Sequence, residues 1–408
     1  MSKPSLLFLC HRIPYPPNKG DKIRSYNLLR WLAQRYDVSL GAFVDDEADW
    51  AHTDRLDALC ARTFFAPMPT GLSRLWRAGT AVLRGDAISA ALYRHKGMTD
   101  FVGDVLNDAP ASDVLVFSSA MGVHTTALPD AARLLVDFVD VDSEKWRQYS
   151  GEQAWPMSWL YRREARTLFS HDLALAHRAA HNFFVSEKEA ALFRSLAPSV
   201  ASTTSALANG VDAAFFDAKG GLASPFKAEE SSVVFTGAMD YWPNADAVVW
   251  FVEEVMPHLR ERASNVTFYI VGANPTARVR RLQARDIVVT GTVDDIRPYI
   301  GCADVIVAPL RVARGVQNKV LEAMAMSRRV VTTPAGAEGI DAVNDEHYCV
   351  RETGDDMAVA IEALLGDPST TQIGRAARDY VLEKFGWEQC LSVLSGHLDA
   401  PPVDGPKT

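Results

Sequence analysis

The residues best suited to chemistry lie in one segment of the second half of the chain, residues 304–327. An apolar run at 304–308 predicts a buried strand, which ends at Pro309. A cationic loop with Gly315 follows, and a helix is predicted from Val316 onward. The N–H groups in the first turn of a helix have no partner within the helix, so they favour a bound anion. The segment therefore predicts an anion site.

Charged side chains in this segment match the parts of a nucleoside diphosphate. Arg311, Arg314 and Lys319 bring positive charge to the place where a diphosphate would sit. Glu322 falls one to two turns into the helix, where a carboxylate can accept hydrogen bonds from ribose hydroxyls. The alternative is a surface loop with unrelated arginines and a solvated glutamate. The joint occurrence of cation, glycine, helix start and carboxylate favours a nucleotide site.

A second set of candidates follows two predicted strands of the first half. Asp140 and Asp142 stand at the end of the strand predicted at 134–139, and period-two alternation puts both carboxylates on one side if the strand continues. Such groups can act as general bases, or they can simply be solvated or cap a helix. His124 follows the strand predicted at 114–117 and is a further candidate, although a lone histidine is more often structural.

The elements that must position these residues alternate between strand-like and helix-like segments. This rhythm predicts an α/β fold with parallel sheets and crossover helices. A chain of 408 residues is expected to form two domains. We expect the first at 1–208 and the second, which contains the predicted nucleotide site, at 209–385. A C-terminal helix within 386–408 is expected to pack back on the first domain, before a disordered tail.

Such a pair of domains has a consequence for ligands. Open α/β sheets bind ligands at the carboxyl ends of their strands. Two Rossmann-like domains that face each other would therefore form a central cleft, with one ligand held by each wall.

The overall composition excludes several function classes. A net charge of −9 argues against general nucleic-acid binding, which needs a basic surface. No uncharged run is long enough to predict a transmembrane helix or a signal peptide. The five cysteines are scattered, without a CxxC pair or a cluster at zinc spacing, which indicates a reducing cytoplasm and no metal site. They are Cys10, Cys60, Cys302, Cys349 and Cys390.

One stretch of the first domain, residues 72–98, differs from its surroundings. Basic residues such as Arg74 and Arg84 alternate there with large apolar residues such as Trp76 and Leu83. Two interpretations stay open. The stretch is either a basic amphipathic surface for peripheral contact with anionic lipid, or a helical excursion whose apolar side packs on the first domain.

Several motifs resemble those of one enzyme family. The sequence LEAMA at 321–325 resembles the donor-site signature of the family-4 retaining glycosyltransferases. The sequence NGVD at 209–212 sits where that family enters its second domain, and FTGAMD at 235–240 is similar to the first strand of that domain. The forms MDYWPN at 239–244 and RGVQNK at 314–319 look like bacterial sugar transferases associated with exosortase and exopolysaccharide loci.

The resemblance implies the GT-B architecture, two Rossmann-like parallel-sheet domains around a cleft. It also implies transfer of a sugar from a nucleotide diphosphate to a saccharide or lipid-linked acceptor, with retention of configuration and with neither metal nor cofactor. In the family a histidine often stands near the acceptor at the place of Asp140, so Asp140 and then Asp142 are expected to orient or accept the hydroxyl proton. The expected donor-binding residues are Gly20, Gly237, Arg311, Arg314, Gly315, Val316, Asn318, Lys319 and Glu322.

The loop with Gly20 is implied to let the backbone approach the reacting carbon, since glycine lacks a Cβ. An ordinary turn with Asp21 as the helix N-cap explains this loop equally well. The family pattern has two glutamates with seven residues between them, and Arg314 takes the place of the first. The usual Arg and Lys after the first strand of the second domain are also absent. We therefore expect Arg311, Arg314 and Lys319 to neutralise the diphosphate.

Three alternatives remain at this point. The sequence DVD at 140–142 also fits the Asp-x-Asp metal signature of the other large glycosyltransferase fold, but the donor segment argues against that fold. A nucleotide-sugar epimerase shares the GT-B architecture. A non-catalytic nucleotide-sugar-binding or scaffold subunit would explain the replaced glutamate. The expected location is the cytoplasm, in association with the inner face of the plasma membrane.

Overall fold

The computed structural model describes residues 3–110, 113–217, 221–263, 265–313, 315–366 and 371–398. The chain divides into two compact units. The first comprises Met1–Ala208 together with Leu391–Thr408, and the second comprises Asn209–Cys390. Residues 386–390, which we expected to belong to the C-terminal segment that returns to the first domain, thus group with the second unit. The expected tail from residue 400 onward lies outside the described residues.

The first unit is built on a parallel sheet with the strand order β3-β2-β1-β4-β5-β6-β7. The continuous runs of apolar residues in its strands favour a parallel sheet, because a parallel sheet is covered by helices on both faces. In β1, for example, four successive residues from Leu6 to Leu9 are fully buried. The strands are β1 (Ser5–Cys10), β2 (Asp37–Val44), β3 (Arg62–Pro67), β4 (Asp113–Phe117), β5 (Arg133–Val139), β6 (His181–Phe184) and β7 (Thr204–Ala206).

The helices of the first unit cover both faces of this sheet. They are α1 (Gly20–Arg35), α2 (Thr53–Asp57), α3 (Gly71–Arg84), α4 (Ile88–Ala91), α5 (Lys96–Asp108), α6 (Asp142–Glu152), α7 (Met157–Arg178) and α8 (Glu187–Leu196). Short 3₁₀ turns lie at Glu47–His52, Ser119–His124 and Pro198–Thr203.

The second unit has a parallel sheet with the order β10-β9-β8-β11-β12-β13. Its strands are β8 (Ser231–Thr236), β9 (Val266–Val271), β10 (Ile287–Gly291), β11 (Val305–Ala308), β12 (Val330–Thr332) and β13 (Cys349–Val350). Alternate residues of β8 enter different cores: Val233 and Phe235 pack on one face of the sheet and Val234 on the other. This is the side-chain period of a strand that is buried on both faces.

The helices of the second unit are α9 (Trp242–Trp250), α10 (Met256–Arg262), α11 (Ala277–Arg280), α12 (Arg297–Gly301), α13 (Asn318–Ala325), α14 (Gly354–Gly366), α15 (Thr371–Lys384) and α16 (Trp387–Leu391). A π turn at Phe251–Val255 lies between α9 and α10.

The last described residues belong to the first unit. After a 3₁₀ turn at Ser392–Leu394 comes α17 (Ser395–Leu398), and its His397 ring lies 3.8 Å from the ring of His181 in β6. This contact lies within the first unit, and the packing of the whole C-terminal segment on the first domain stays a prediction. In the part of the chain that the structure describes, no helix has both the length and the apolarity needed to cross a membrane.

Candidate functional site

The order in which strands are added to the sheet of the second unit reverses between β8 and β11. The chain adds β9 and β10 outside β8, and then returns to add β11, β12 and β13 on the other side. The carboxyl ends of β8 and β11 therefore border a crevice, which is where open α/β sheets bind ligands. Gly237 follows β8 directly, and Pro309 opens the segment that leads from β11 to α13.

Gly237 allows a side chain from α13 to approach the end of β8. Its φ is +156°, and a Cβ there would lie 2.6 Å from Asn244 Nδ2 and 3.1 Å from Lys319 Nζ. A Cβ on Gly272, which follows β9, would lie 1.8 Å from the Gly237 carbonyl oxygen. Neither position has room for a side chain. The two sequence candidates Gly237 and Lys319 thus come together at the crevice.

The Lys319 ammonium is held by groups that leave its charge uncompensated. Its Nζ donates to Asn244 Oδ1 at 2.5 Å and lies 4.3 Å from the centre of the Phe235 ring. Asn244 is itself oriented, because its Nδ2 donates to the Ala238 carbonyl at 2.9 Å. Burial lowers the pKa of Lys319 to about 7, with the Glu322 carboxylate acting in the opposite direction. An added diphosphate would stabilise the charged form.

Glu322 lies one turn after Lys319 on α13 and is half-buried. Burial raises the pKa of its carboxyl group to about 7, and the nearby Lys319 charge opposes that rise. Perturbed pairs of this kind, set at a ligand crevice, are typical of functional sites. The pair supplies one cation and one hydrogen-bond acceptor at the helix start.

The start of α13 presents backbone groups to the same crevice. Gln317 occupies the N-cap position, and its side chain makes no capping hydrogen bond. Gly315 is buried and has a φ of +63°, a conformation that glycine adopts readily. Val316 is half-buried beside the core. The Oδ1 atom of Asn318 is buried without a hydrogen-bond partner among the described residues.

The two arginines of the loop, Arg311 and Arg314, were expected to neutralise a diphosphate. Arg311 forms a bidentate pair with Asp246 of α9, with Nε donating to Oδ2 at 2.9 Å. Much of its charge is therefore already compensated within the protein, and its neutralisation of a diphosphate stays a prediction. Arg314 lies outside the described residues.

In the first unit, Asp140 and Asp142 share a lysine. Lys145 Nζ lies 2.7 Å from Asp140 Oδ2 and 2.9 Å from Asp142 Oδ1. The strand ends at Val139 and α6 begins at Asp142, so the strand does not continue through the two aspartates. Strand alternation therefore does not explain why their carboxylates lie close together. The ion pair brings them together instead. Burial acts to lower the pKa of Lys145, but the charges of Asp142 and Asp140 outweigh it and raise that pKa.

The backbone before Asp140 is strained. Val139 has a φ of +70°, a conformation that a β-branched residue rarely adopts, and the register of β5 against β6 shifts between Asp137 and Val139. Asp137 accepts a hydrogen bond from the Val139 N–H at 3.1 Å and so holds this bulge. Strain of this kind concentrates at functional sites.

His124 was a candidate catalytic residue, and its surroundings argue against that role. The side chain is buried, Nε2 donates to the Tyr93 carbonyl at 2.8 Å, and Nδ1 pairs with Thr99 Oγ1 at 2.8 Å. Burial also lowers the pKa of the imidazole. Both ring nitrogens are engaged within the core, so His124 has a structural role.

Gly20 is exposed and is the first residue of α1, where a Cβ would meet no heavy atom within 4 Å. Asp21 is not the N-cap that we considered, because Lys19 occupies that position. The Asp21 carboxylate instead accepts a hydrogen bond from Arg12 at 2.8 Å. Burial would raise the pKa of Asp21, but the hydrogen bonds and charges of His11 and Arg12 outweigh it and lower that pKa.

Sequence reasoning did not assign several partners of these residues. Asn244 and Asp246 hold Lys319 and Arg311 from α9, and no local pattern indicates contacts so distant in sequence. Lys145 follows Asp142 at i+3 on a helix, a spacing that does predict an ion pair. Among the residues that the structure describes, no three His, Cys, Asp or Glu side chains are grouped to hold a metal ion.

Comparison with known proteins connects this site to one class of enzyme. Residues 230–367, which include β8 to α13, match the model of the family described as Glycosyl transferases group 1. No curated protein matches the chain.

Solved structures extend the likeness to both units. A glycosyltransferase from Rickettsia africae has 14% identity and a TM-score of 0.67 over 98% of each chain. HepE from Anabaena, solved with UDP, has 15% identity and a TM-score of 0.64 over 97% of this chain and 99% of its own. Sucrose-phosphate synthase from Thermosynechococcus elongatus has 16% identity and a TM-score of 0.64 over 97% and 98%. The chain thus has the GT-B fold, and its residues 230–367 match the model of the group 1 glycosyltransferases.

Proposed function

We propose that the protein transfers a sugar from a nucleotide diphosphate donor to a saccharide or lipid-linked acceptor. The observation that carries the proposal is the start of α13, where the Lys319 ammonium adjoins Gly237 at the switch point of the sheet and Glu322 follows one turn later on the helix. The helix N-terminus and Lys319 would receive the diphosphate, and Glu322 would accept hydrogen bonds from the ribose. Gly315, Val316 and Asn318 would line the same site.

The chemical role of this site is electrostatic. A departing diphosphate develops negative charge, and preorganised N–H groups with a nearby ammonium stabilise it without a bound metal. We propose that the anomeric configuration is retained. The leaving diphosphate would guide the acceptor to the same face of the sugar that the diphosphate itself leaves. The resemblance to family-4 enzymes supports this stereochemistry.

The acceptor side of the reaction is proposed to use Asp140. Its carboxylate would orient or accept the proton of the acceptor hydroxyl, with Asp142 as the second candidate. The strained Val139 backbone immediately before it supports the assignment. Gly20 would lie near the reacting carbon.

The cellular context is inferred from the same resemblance. The motifs at 239–244 and 314–319 support a role in bacterial exopolysaccharide or cell-surface glycan synthesis. Every cysteine in the chain is free, which supports a reducing compartment, the cytoplasm. We place the enzyme at the inner face of the plasma membrane, where a lipid-linked acceptor would be met.

Glu322→Ala is expected to weaken nucleotide binding about 10- to 100-fold, because hydrogen bonds to a charged group contribute roughly 1.5–3 kcal/mol. Isothermal titration calorimetry with UDP and GDP, with and without EDTA, measures this. HepE has been solved with UDP and with UDP-glucose, which makes UDP the first ligand to test. We expect micromolar binding of one nucleotide that survives EDTA.

The exposed Glu383 provides a matched control, since Glu383→Ala removes a carboxylate far along the sequence on α15. Its nucleotide affinity should equal that of the wild type. A folded protein that binds neither nucleotide, or a Glu322→Ala variant with unchanged affinity, would contradict the donor site. Binding without transfer to any acceptor would instead favour a scaffold subunit, and epimerisation without an acceptor would favour an epimerase.

Asp140→Asn is expected to lower kcat about 100-fold while nucleotide affinity stays unchanged. A positioned base contributes about 10²- to 10⁴-fold, and we expect the lower end because Lys145 already donates to this carboxylate and weakens it as a base. Steady-state kinetics with a nucleotide-sugar donor and an acceptor measures the change. An equal loss of kcat in Asp142→Asn with full activity in Asp140→Asn would transfer the role to Asp142.

A further inference from the structure

Helix α3 (Gly71–Arg84) carries a row of large apolar side chains that face solvent. Leu72, Trp76 and Leu83 are 84%, 72% and 87% exposed, and Leu75 beside them is also exposed. Positions 72, 76 and 83 follow the i, i+4, i+11 spacing of one helix face. Soluble proteins seldom expose large apolar side chains in such a continuous row.

The opposite face of α3 already packs on the first unit. Ala81 is buried there, and Arg77 Nη1 donates to the carbonyls of Leu92 and Arg94 at 3.1 and 2.6 Å. Of the two interpretations of 72–98, packing of the apolar side on the first domain does not hold for Leu72, Leu75, Trp76 and Leu83. These four residues form the outward stripe of α3.

Helix α7 holds α3 in place. The buried Arg163 donates from Nη2 to the last-turn carbonyls of Ala81 and Val82 at 3.0 and 3.2 Å. Its neighbour Glu164 accepts from the first N–H groups of α4, those of Ile88 and Ser89, at 2.9 and 2.8 Å. Two adjacent buried side chains thus hold the end of one helix and the start of the next. The outward stripe is a fixed feature of the fold.

The charged residues in the sequence around the stripe all have one sign. The chain carries a net charge of −9, yet no Asp or Glu occurs between Asp57 and Asp86. Within α3, Arg74 and Arg84 are exposed. At 3.6 residues per turn they lie on the polar side of the helix, away from the stripe. An apolar row with a tryptophan among it, on a helix whose charged residues are all arginines, complements the interface of an anionic bilayer.

The size of the stripe favours a membrane over a protein partner. It runs about 16 Å along the helix, from the rise of 1.5 Å per residue. Four side chains offer on the order of 500 Å², less than the roughly 800 Å² that each partner contributes to a stable protein interface. A lipid surface has no such minimum, because apolar insertion and charge attraction add gradually.

We propose that α3 is a lipid-docking helix that lies in the interface of an anionic membrane, with Leu72, Leu75, Trp76 and Leu83 inserted among the lipids. Arg74 and Arg84 would lie at the level of the lipid headgroups. This placement does not depend on the reaction proposed above. It brings the first unit to the surface on which a lipid-linked acceptor would be presented.

Flotation of the full-length protein with lipid vesicles tests the proposal. Vesicles of phosphatidylcholine alone are compared with vesicles that contain about 30% phosphatidylglycerol, at about 0.15 M and about 1 M salt. The wild type should partition to the anionic vesicles at least about tenfold more strongly at low salt. Leu75→Ser with Trp76→Ser should lower that partitioning at least about tenfold. Arg74→Gln with Arg84→Gln should remove most of the preference for anionic lipid.

Val359→Ser with Leu382→Ser is the matched control, because it removes two exposed apolar side chains from the second unit. Circular dichroism and nucleotide binding verify that each variant is folded. Absence of vesicle binding by the folded wild type would overturn the proposal, as would equal binding by the α3 variant. A wild-type dimer in light scattering that the α3 variant dissociates, without vesicle binding, would overturn it in favour of self-association.

Discussion

Lys319→Met is expected to lower kcat/KM for the nucleotide-sugar donor about 1000-fold. The structure brings the Lys319 ammonium against Gly237 at the end of β8. Its Nζ is held by Asn244 and the Phe235 ring, neither of which cancels its charge. Removal of one preorganised charge stabiliser typically lowers kcat about 10²- to 10³-fold, and lost ground-state attraction to the diphosphate adds to this. Methionine keeps the apolar stem and its packing.

The pH profile distinguishes lost charge from lost structure. Burial lowers the pKa of Lys319 to about 7, so the free enzyme loses this positive charge as the pH rises above 7. Because only the protonated amine attracts a diphosphate, kcat/KM of the wild type should fall about tenfold per pH unit on the alkaline side. Lys319→Arg keeps its charge at every accessible pH and should lose this alkaline limb. Wild-type kinetics in Lys319→Met would remove Lys319 from the donor site.

Asp137→Asn is expected to lower the free energy of unfolding of the first unit by about 3–5 kcal/mol. Asp137 is fully buried in β5, and it accepts a hydrogen bond from Arg24 Nε of α1 at 2.8 Å. The substitution keeps the shape of the side chain but leaves the buried guanidinium charge of Arg24 without the Asp137 carboxylate. Thermal unfolding followed by circular dichroism should show a Tm lower by about 10 °C.

Two further variants separate the buried charge from other causes. Asp108→Asn makes the same substitution in the exposed pair of Arg62 and Asp108 and should change stability by less than about 1 kcal/mol. Arg24→Met combined with Asp137→Asn removes both charges and should recover more than half of the loss. An Asp137→Asn protein with the wild-type Tm would show that this ion pair does not stabilise the unit.

The same ion pair links stability to the proposed acceptor side. Asp137 also accepts from the N–H of Val139, the strained residue directly before Asp140. Asp137 is therefore a positioning residue for Asp140 as well as a stabilising one. We expect the loss of stability to be accompanied by a displaced Asp140 carboxylate.

The sequence by itself determined the fold class, and it predicted a donor segment. Runs such as Leu6–Leu9 predict strands buried on both faces, and the alternation with helices predicts parallel sheets. These signals are local, because side-chain burial along one strand or helix repeats with a fixed period. The loop after β11 and the start of α13 are likewise contiguous, so their glycine, lysine and glutamate could be predicted to form one nucleotide site.

Only the tertiary structure decided which of these side chains meet. Lys319 contacts Asn244, and Arg311 pairs with Asp246. Both contacts form because the sheet order places β11 beside β8, which brings α9 next to the segment around the start of α13. His124 lost its candidate role because two distant residues, Tyr93 and Thr99, engage both ring nitrogens. Burial and partners depend on contacts between distant segments, on which periodicity and spacing carry no information. For the same reason only the tertiary structure shows which face of α3 packs on the first unit and which face is exposed.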